Sequence, residues 1–97
     1  MLNLSGKVVL VTGAGGSIGS QLSKQILDLN PTTLILVDHS EYSLFNIYNN
    51  LLRKKNKSVK IIPKICDINN KILISKILSQ YKPFSLFHAA AYKHVHL

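Results

Sequence analysis

Seven residues, Gly13-Ala14-Gly15-Gly16-Ser17-Ile18-Gly19, constrain this chain more than any other stretch because of what flanks them. Before them, Lys7 to Thr12 is a β-branched run suited to a central parallel strand buried on both faces. After them, Ile18, Leu22, Ile26 and Leu29 recur at helical spacing. The spacing predicts a helix from Ser17 to Leu29, stopped by Pro31. A strand that turns at once into a helix needs glycine for distinct reasons. Gly13 permits the sharp exit, Gly16 keeps a side chain out of the space before the helix, and Gly19 lets helix and strand pack closely. The unpaired N–H groups and the dipole of the helix start then face that space, which suits a diphosphate. Ser17 can add a hydroxyl donor.

The rest of the chain repeats the alternation. Leu34 to Val37 reads as a second strand ending at Asp38. A helix follows from Ser40 or Glu41, with Leu44, Ile47, Leu51 and Leu52 on its apolar face. Val59 to Ile65 is a third strand, and Pro63 within it suits a sheet edge because proline cannot donate to a ladder. Asn69 or Asn70 caps a third helix carrying Ile72, Leu73, Ile77 and Tyr81, and Phe84 to Ala89 is a fourth strand. Strands alternating with helices over short connections predict an α/β fold, a doubly wound parallel sheet of Rossmann type with strand order 3-2-1-4 and three helices. A complete sheet of this type has further strands, so residues 1–97 read as a truncated half-domain without a substrate domain. The outer edge of the fourth strand, with Phe84, Leu86 and Phe87, is then expected to be unpaired and prone to aggregation.

Asp38 stands 19 positions after Gly19, close to the roughly 20-residue spacing of an acid that binds the ribose of a dinucleotide. A carboxylate there accepts both ribose hydroxyls of NAD and repels a 2′-phosphate, so NAD is the expected cofactor, with NADP possible through His39 or Lys64. The alternative role for Asp38 is a helix N-cap. The turn lacks a Gly-Lys-Ser/Thr ending, which excludes a P-loop nucleotidase.

The net charge of +8 raises the question of nucleic acid, since Arg53, Lys54, Lys55, Lys57, Lys60 and Lys64 crowd together. No aromatic is interleaved among them, as a single-strand platform requires, and the run reads as a solvated face. No apolar run approaches the roughly 20 residues of a membrane span. The amino-terminal stretch before the first strand is too short for a signal peptide, and the single cysteine, Cys66, cannot form an intrachain disulfide. A cytoplasmic location is expected. His94-Val95-His96 lacks carboxylate or cysteine partners nearby, and no metal site is expected.

Four segments carry a resemblance. They are Val11 to Leu22, Asp38-His39-Ser40-Glu41, Cys66-Asp67-Ile68 and His88-Ala89-Ala90-Ala91-Tyr92-Lys93-His94-Val95. Over essentially the whole length the chain is similar to the CapD-like polysaccharide-biosynthesis branch of the extended short-chain dehydrogenase/reductases. The glycine turn marks the superfamily, and the His88–Val95 segment is more specific to the branch. The resemblance implies an NAD(P)-dependent UDP-N-acetylglucosamine 4,6-dehydratase or nucleotide-sugar epimerase in polysaccharide biosynthesis. It implies that Asp67 and Ile68 contact the adenine, that Ala89, Ala90 and Ala91 line the cofactor, and that Lys93 lies near the nicotinamide ribose or substrate. With Gly13, Gly15, Gly16, Ser17, Ile18, Gly19, Asp38 and Ser40 these make up the expected cofactor-binding set. The family's acid–base segments, Thr-Asp-Lys and a later Tyr- or Met-containing lysine motif, are absent. No catalytic residue is therefore expected here, and the chain alone is expected to be inactive. The longer parent is expected to be a homo-oligomer taking a nucleotide sugar, with a possible membrane anchor on the cytoplasmic side. The alternatives are a non-catalytic NAD(P)-binding or sensing module and, from the charge, a basic nucleic-acid-binding domain.

Overall fold

The computed structural model describes residues 3–55, 58–91 and 93–97. Lys57 of the basic run and Tyr92 of the His88–Val95 segment lie outside the described residues. The elements are β1 (Val8–Thr12), α1 (Ser17–Leu27), β2 (Thr33–Asp38), α2 (Glu41–Lys54), β3 (Lys60–Ile65), α3 (Lys71–Tyr81) and β4 (Ser85–His88). A 3-10 turn, Ala89–Ala91, then leads to β5 (Lys93–His96). The sheet order is β3-β2-β1-β4-β5, parallel through the first four strands in that row. The expected 3-2-1-4 order and the edge position of Pro63, opposite Leu36, are both present.

β1 and β2 form the centre because their side chains are apolar on both faces. Val9, Val11, Leu34, Leu36 and Phe87 pack with Ile26, Leu27, Leu44, Ile47 and Leu51 of α1 and α2. Leu10, Ile35 and Val37 pack on the other face with Ile77 of α3, flanked by Ile74, Leu78 and Tyr81. Helices on both faces of one parallel sheet leave the ends of the strands as the open surfaces.

The structure corrects the sequence reading in four places. First, α1 buries Gly19, Ser23, Ile26 and Leu27, with Leu22 partly buried. Ile18 and Leu29 lie outside that face, at 46% and 38% exposure, and the helix ends at Leu27, before Leu29. Small residues make this close face, so a count of large side chains missed it. Ser23 is tolerated there because its Oγ donates to the Gly19 carbonyl at 2.7 Å. Second, Leu52 of α2 is exposed. Third, α3 buries Ile77 against Ile74 and Leu78, leaving Ile72 and Leu73 to solvent.

Fourth, the outer edge of β4 is paired. After the alanine turn the chain doubles back and β5 runs antiparallel to β4, with Phe87 opposite His94 and Leu86 opposite Val95. Phe87 is buried, and Phe84 and Leu86 are half-buried. The expected bare apolar edge is not what the fold presents.

Candidate functional site

The site is built at the ends of β1, β2 and β4 where the chain enters its helices. Gly13 adopts φ +67°, a conformation that side chains rarely take. A Cβ on Gly19 would collide with the Gly13 carbonyl and lie 2.9 Å from the Ala14 Cα, so α1 can approach β1 only with glycine at that position. Gly15 has a different reason. A Cβ there would lie 2.5 Å from the Ser43 carbonyl carbon, so this glycine allows α2 to approach the turn. A Cβ on Gly16, in contrast, would meet only the Gly13 oxygen at 3.4 Å, because that position opens outward.

Asp38 is the hub of the turn. It is 6% exposed. Its Oδ2 accepts the Gly15 N–H at 2.8 Å and its Oδ1 accepts the Ser40 N–H at 2.9 Å. The N-cap of α2 is Ser40, whose Oγ accepts the Ser43 N–H at 3.3 Å. Asp38 therefore is not the helix cap. Each of its oxygens keeps an acceptor site for another donor. His39 Nδ1 lies 3.6 Å from Oδ1, but the imidazole is 79% exposed and the pair is correspondingly weak.

Helix starts divide into two kinds here. Side chains cap α2 and α3, through Ser40 and through Asn70, whose Oδ1 accepts the Leu73 N–H at 3.1 Å. Among the described residues no side chain caps α1, whose N-cap is Gly16. Its first N–H groups need an acceptor from outside the helix.

In front of that helix start lies a cavity of about 760 Å³. Gly13, Gly16, Ile18 and Gly19 form its floor, Asp38 and Ser40 one side, Asp67 and Ile68 another, and Ala89 and Ala90 the side toward β4. Ten of the fourteen expected residues thus meet around one space. Gly15, Ser17, Ala91 and Lys93 lie outside its lining. Gly15 acts on it through Asp38, Ser17 and Ala91 are exposed, and Lys93 lines a neighbouring hollow of about 400 Å³ that shares Ile18, His88 and Ala89. Lys64 is not in the lining, and its ammonium lies 5.5 Å from the centre of the Tyr81 ring.

Sequence reasoning passed over several lining residues, Thr12, Ser43 and His88 among them. Thr12 and His88 end neighbouring strands in register, and a 2.6 Å hydrogen bond joins Thr12 Oγ1 to His88 Nδ1. The signal was available: the last residues of β1 and β4 flank the point where strand order reverses, where ligands of such sheets bind. Cys66 also lines the cavity, and its thiol is pushed up by burial and, secondarily, by the Asp67 carboxylate. A protonated thiol is a poor nucleophile. Asp67 Oδ1 accepts the Asn69 N–H at 2.9 Å, which fixes the loop carrying Ile68. Among the described residues no group of three or more His, Cys, Asp or Glu could hold a metal ion, and no helix is long and apolar enough to cross a membrane.

Comparison with known proteins places this geometry. Residues 9–97 match the model of the family described as polysaccharide biosynthesis protein. The chain is 40% identical over 94 residues to the capsular polysaccharide biosynthesis protein CapD of Staphylococcus aureus, covering 97% of this chain and 16% of that protein. It is 33% identical over 89 residues to dTDP-glucose 4,6-dehydratase of Haemophilus influenzae, covering 90% and 25%. The chain therefore spans about one sixth to one quarter of the length of these relatives. Among solved structures, a short-chain type dehydrogenase/reductase from Mycobacterium ulcerans superposes with a TM-score of 0.71 at 17% identity, covering 90% of this chain and 33% of that one. NAD+-bound xylitol dehydrogenase superposes at 0.61 and 23% identity, covering 84% and 31%. At such identities the structural likeness speaks for the fold alone. With the family match across nearly its whole length, the chain belongs to the CapD-like polysaccharide biosynthesis protein family.

Proposed function

We propose that this chain is the NAD(H)-holding half-domain of a nucleotide-sugar 4,6-dehydratase or epimerase acting on UDP-N-acetylglucosamine-type substrates. The observation that carries the reading is the uncapped start of α1 opening into a cavity that Asp38 also walls. The fit is good on three counts. The space before Gly16 is free of side chains, the helix start lacks an acceptor, and a buried carboxylate stands where ribose hydroxyls would donate.

In this reading the first N–H groups of α1 and the Ser17 hydroxyl bind the diphosphate. Asp38 orients the adenosine ribose, and its charge disfavours a 2′-phosphate, so NAD is favoured over NADP. Ser40 supports that ribose edge, Asp67 and Ile68 border the adenine, and Ala89, Ala90 and Ala91 leave room toward β4. Lys93 stands on the side of the nicotinamide ribose or sugar. Bound there, the nicotinamide supplies a hydride acceptor and donor for the sugar. The residues of this chain bind and orient, and the acid–base groups belong to a longer parent. The likeness to a dTDP-glucose 4,6-dehydratase supports the sugar-nucleotide class, and the likeness to CapD supports a place in polysaccharide biosynthesis. The parent is a homo-oligomer with its catalytic part in the cytoplasm, anchored or not to the inner membrane face.

The test has two stages. Calorimetric titration of the chain with NADH should give a saturable isotherm, with NADPH weaker. The parent, given NAD and UDP-N-acetylglucosamine, should yield a 4-keto sugar or an epimer by NMR. Absence of NADH binding by folded protein contradicts the cofactor assignment, and turnover of a different sugar nucleotide contradicts only the substrate.

A further inference from the structure

We infer that the end of the domain opposite the glycine turn docks on an anionic lipid bilayer. Parallel strands with returning helices have two poles, one at the strand ends that hold the cavity and one at the strand starts. A backbone hydrogen-bonded row defines the second. Lys60 N–H donates to the Thr32 carbonyl, Thr32 N–H to the Lys7 carbonyl, and Phe84 N–H to the Val8 carbonyl. The C-terminal ends of α1, α2 and α3 return to this row by topology.

Charge divides unevenly between the poles, the cavity pole holding most of the acids together with the cations Lys64, Lys71 and Lys93. Of the four acidic residues of the chain, Asp38, Glu41 and Asp67 stand at the cavity pole, and Asp28 alone at the other. The strand-start pole carries Lys7, Arg53, Lys54, Lys60 and Lys82, all exposed. Cations at helix ends are ordinary where they answer the helix dipole, which accounts for Arg53 and Lys54 in the last turn of α2. It does not account for Lys60, which begins β3, or for Lys7, the residue before β1. Lys82 is the C-cap of α3 at φ 45°, a conformation usually given to glycine.

The occupant is chosen by what lies among these cations. Leu29 and Leu52 are exposed there, each at 38%. Leucines between lysines suit the boundary of headgroups and acyl chains, where apolar contact and attraction to anionic lipid add together. A single-stranded nucleic acid would be served by exposed aromatic faces instead, and a duplex by the cations alone, which leaves the exposed leucines without a role. Tyr81, which ends α3, and Phe84, just before β4, are both half-buried, with the Lys7 ammonium 4.5 Å from the centre of the Phe84 ring and His96 edge-on to that ring at 5.2 Å. Docking this way turns the cavity mouth away from the membrane. No residue of the cavity enters the inference, so it is independent of the cofactor reading.

The experiment is co-sedimentation of the full chain with vesicles of phosphatidylcholine alone or with about one-third phosphatidylserine, at about 0.1 M salt. Two double variants, Lys54→Glu with Lys60→Glu and Lys71→Glu with Lys76→Glu, change net charge equally, and circular dichroism checks that both are folded. Binding should require phosphatidylserine, fall at least about tenfold in the first double and change less than about threefold in the second. Leu52→Ser should lower vesicle binding severalfold while leaving any pull-down of a short DNA duplex unchanged. Equal losses in both doubles would mean net charge alone and overturn the inference. Tighter binding to the duplex than to vesicles, indifferent to Leu52, would overturn it in favour of nucleic acid.

Discussion

The turn from β1 into α1 and the segment after β4 both border the cavity, yet they are held in opposite ways. The turn is fixed through its backbone, against neighbouring backbone and the Asp38 carboxylate. The Ala14 N–H donates to the Val37 carbonyl at 3.1 Å, Gly15 donates to Asp38, and Gly19 presses on the Gly13 carbonyl. The segment after β4 is held by one strand pairing and by ring contacts. His94 stacks on Phe87 with centroids 4.2 Å apart and planes 8° from parallel, and its buried Nε2 has no hydrogen-bond partner among the described residues. Contacts between backbones admit few residue types, whereas a stacked imidazole in a half-paired strand can be exchanged cheaply. The first region is specified and the second is adjustable.

The largest expected effect follows from that contrast. Gly19→Ala should destabilise the domain by about 3 kcal/mol or more, the top of the overpacking range, because no flexible side chain can yield. Val95→Ala on exposed β5 should cost less than about 1 kcal/mol. Urea unfolding measures both. Similar losses at the two sites would remove the distinction.

Next in size is Asp38→Ala. It removes a charge-assisted partner from two N–H groups, each such bond contributing about 1.5–3 kcal/mol, so stability and ligand binding should both fall. The informative quantity is the NAD to NADP affinity ratio within the variant. It should drop, since ribose hydrogen bonds are lost for both cofactors while repulsion of the 2′-phosphate disappears for one. An unchanged ratio would leave Asp38 with a purely structural role.

The smallest effect concerns β5 and pH. Burial, and then the nearby His96, hold the His94 imidazole below its ordinary value of 6.5. The unfolded chain therefore binds a proton more readily than the folded one. Stability from this group is fully present above 6.5 and declines as pH falls below it toward the folded value. Amide exchange in β5 should quicken as pH falls through that window, relative to β1 and corrected for intrinsic rates. His94→Gln should abolish the difference. Protection that rises on acidification would contradict the sign.

These contrasts also explain what could be read from the chain. The order of elements, the edge position marked by Pro63 and the glycine positions were legible because each rests on a backbone rule. So was the closeness of Asp38 to the turn, although its hold on Gly15 and Ser40 was not, because spacing gives position and not hydrogen bonds. The buried face of α1 was misjudged because Gly19 and Ser23 pack by being small. β5 was missed because Lys93, Val95 and His96 are exposed and make no buried alternation, and its pairing depends on β4. The Thr12–His88 bond joins residues 76 apart and became visible only with the sheet order.

Gly16 offers the most direct test of the central claim that the turn holds a dinucleotide. Its φ of −71° and ψ of 173° suit any residue, and an added Cβ meets only the Gly13 oxygen at an ordinary distance. Gly16→Val should therefore cost only the N-cap preference, about 1 kcal/mol, and leave the protein folded while placing two methyl groups in front of the α1 start. Calorimetric titration with NADH should show affinity reduced at least about a hundredfold, or about 2.7 kcal/mol. Undiminished NADH affinity in the folded Gly16→Val protein would contradict the account.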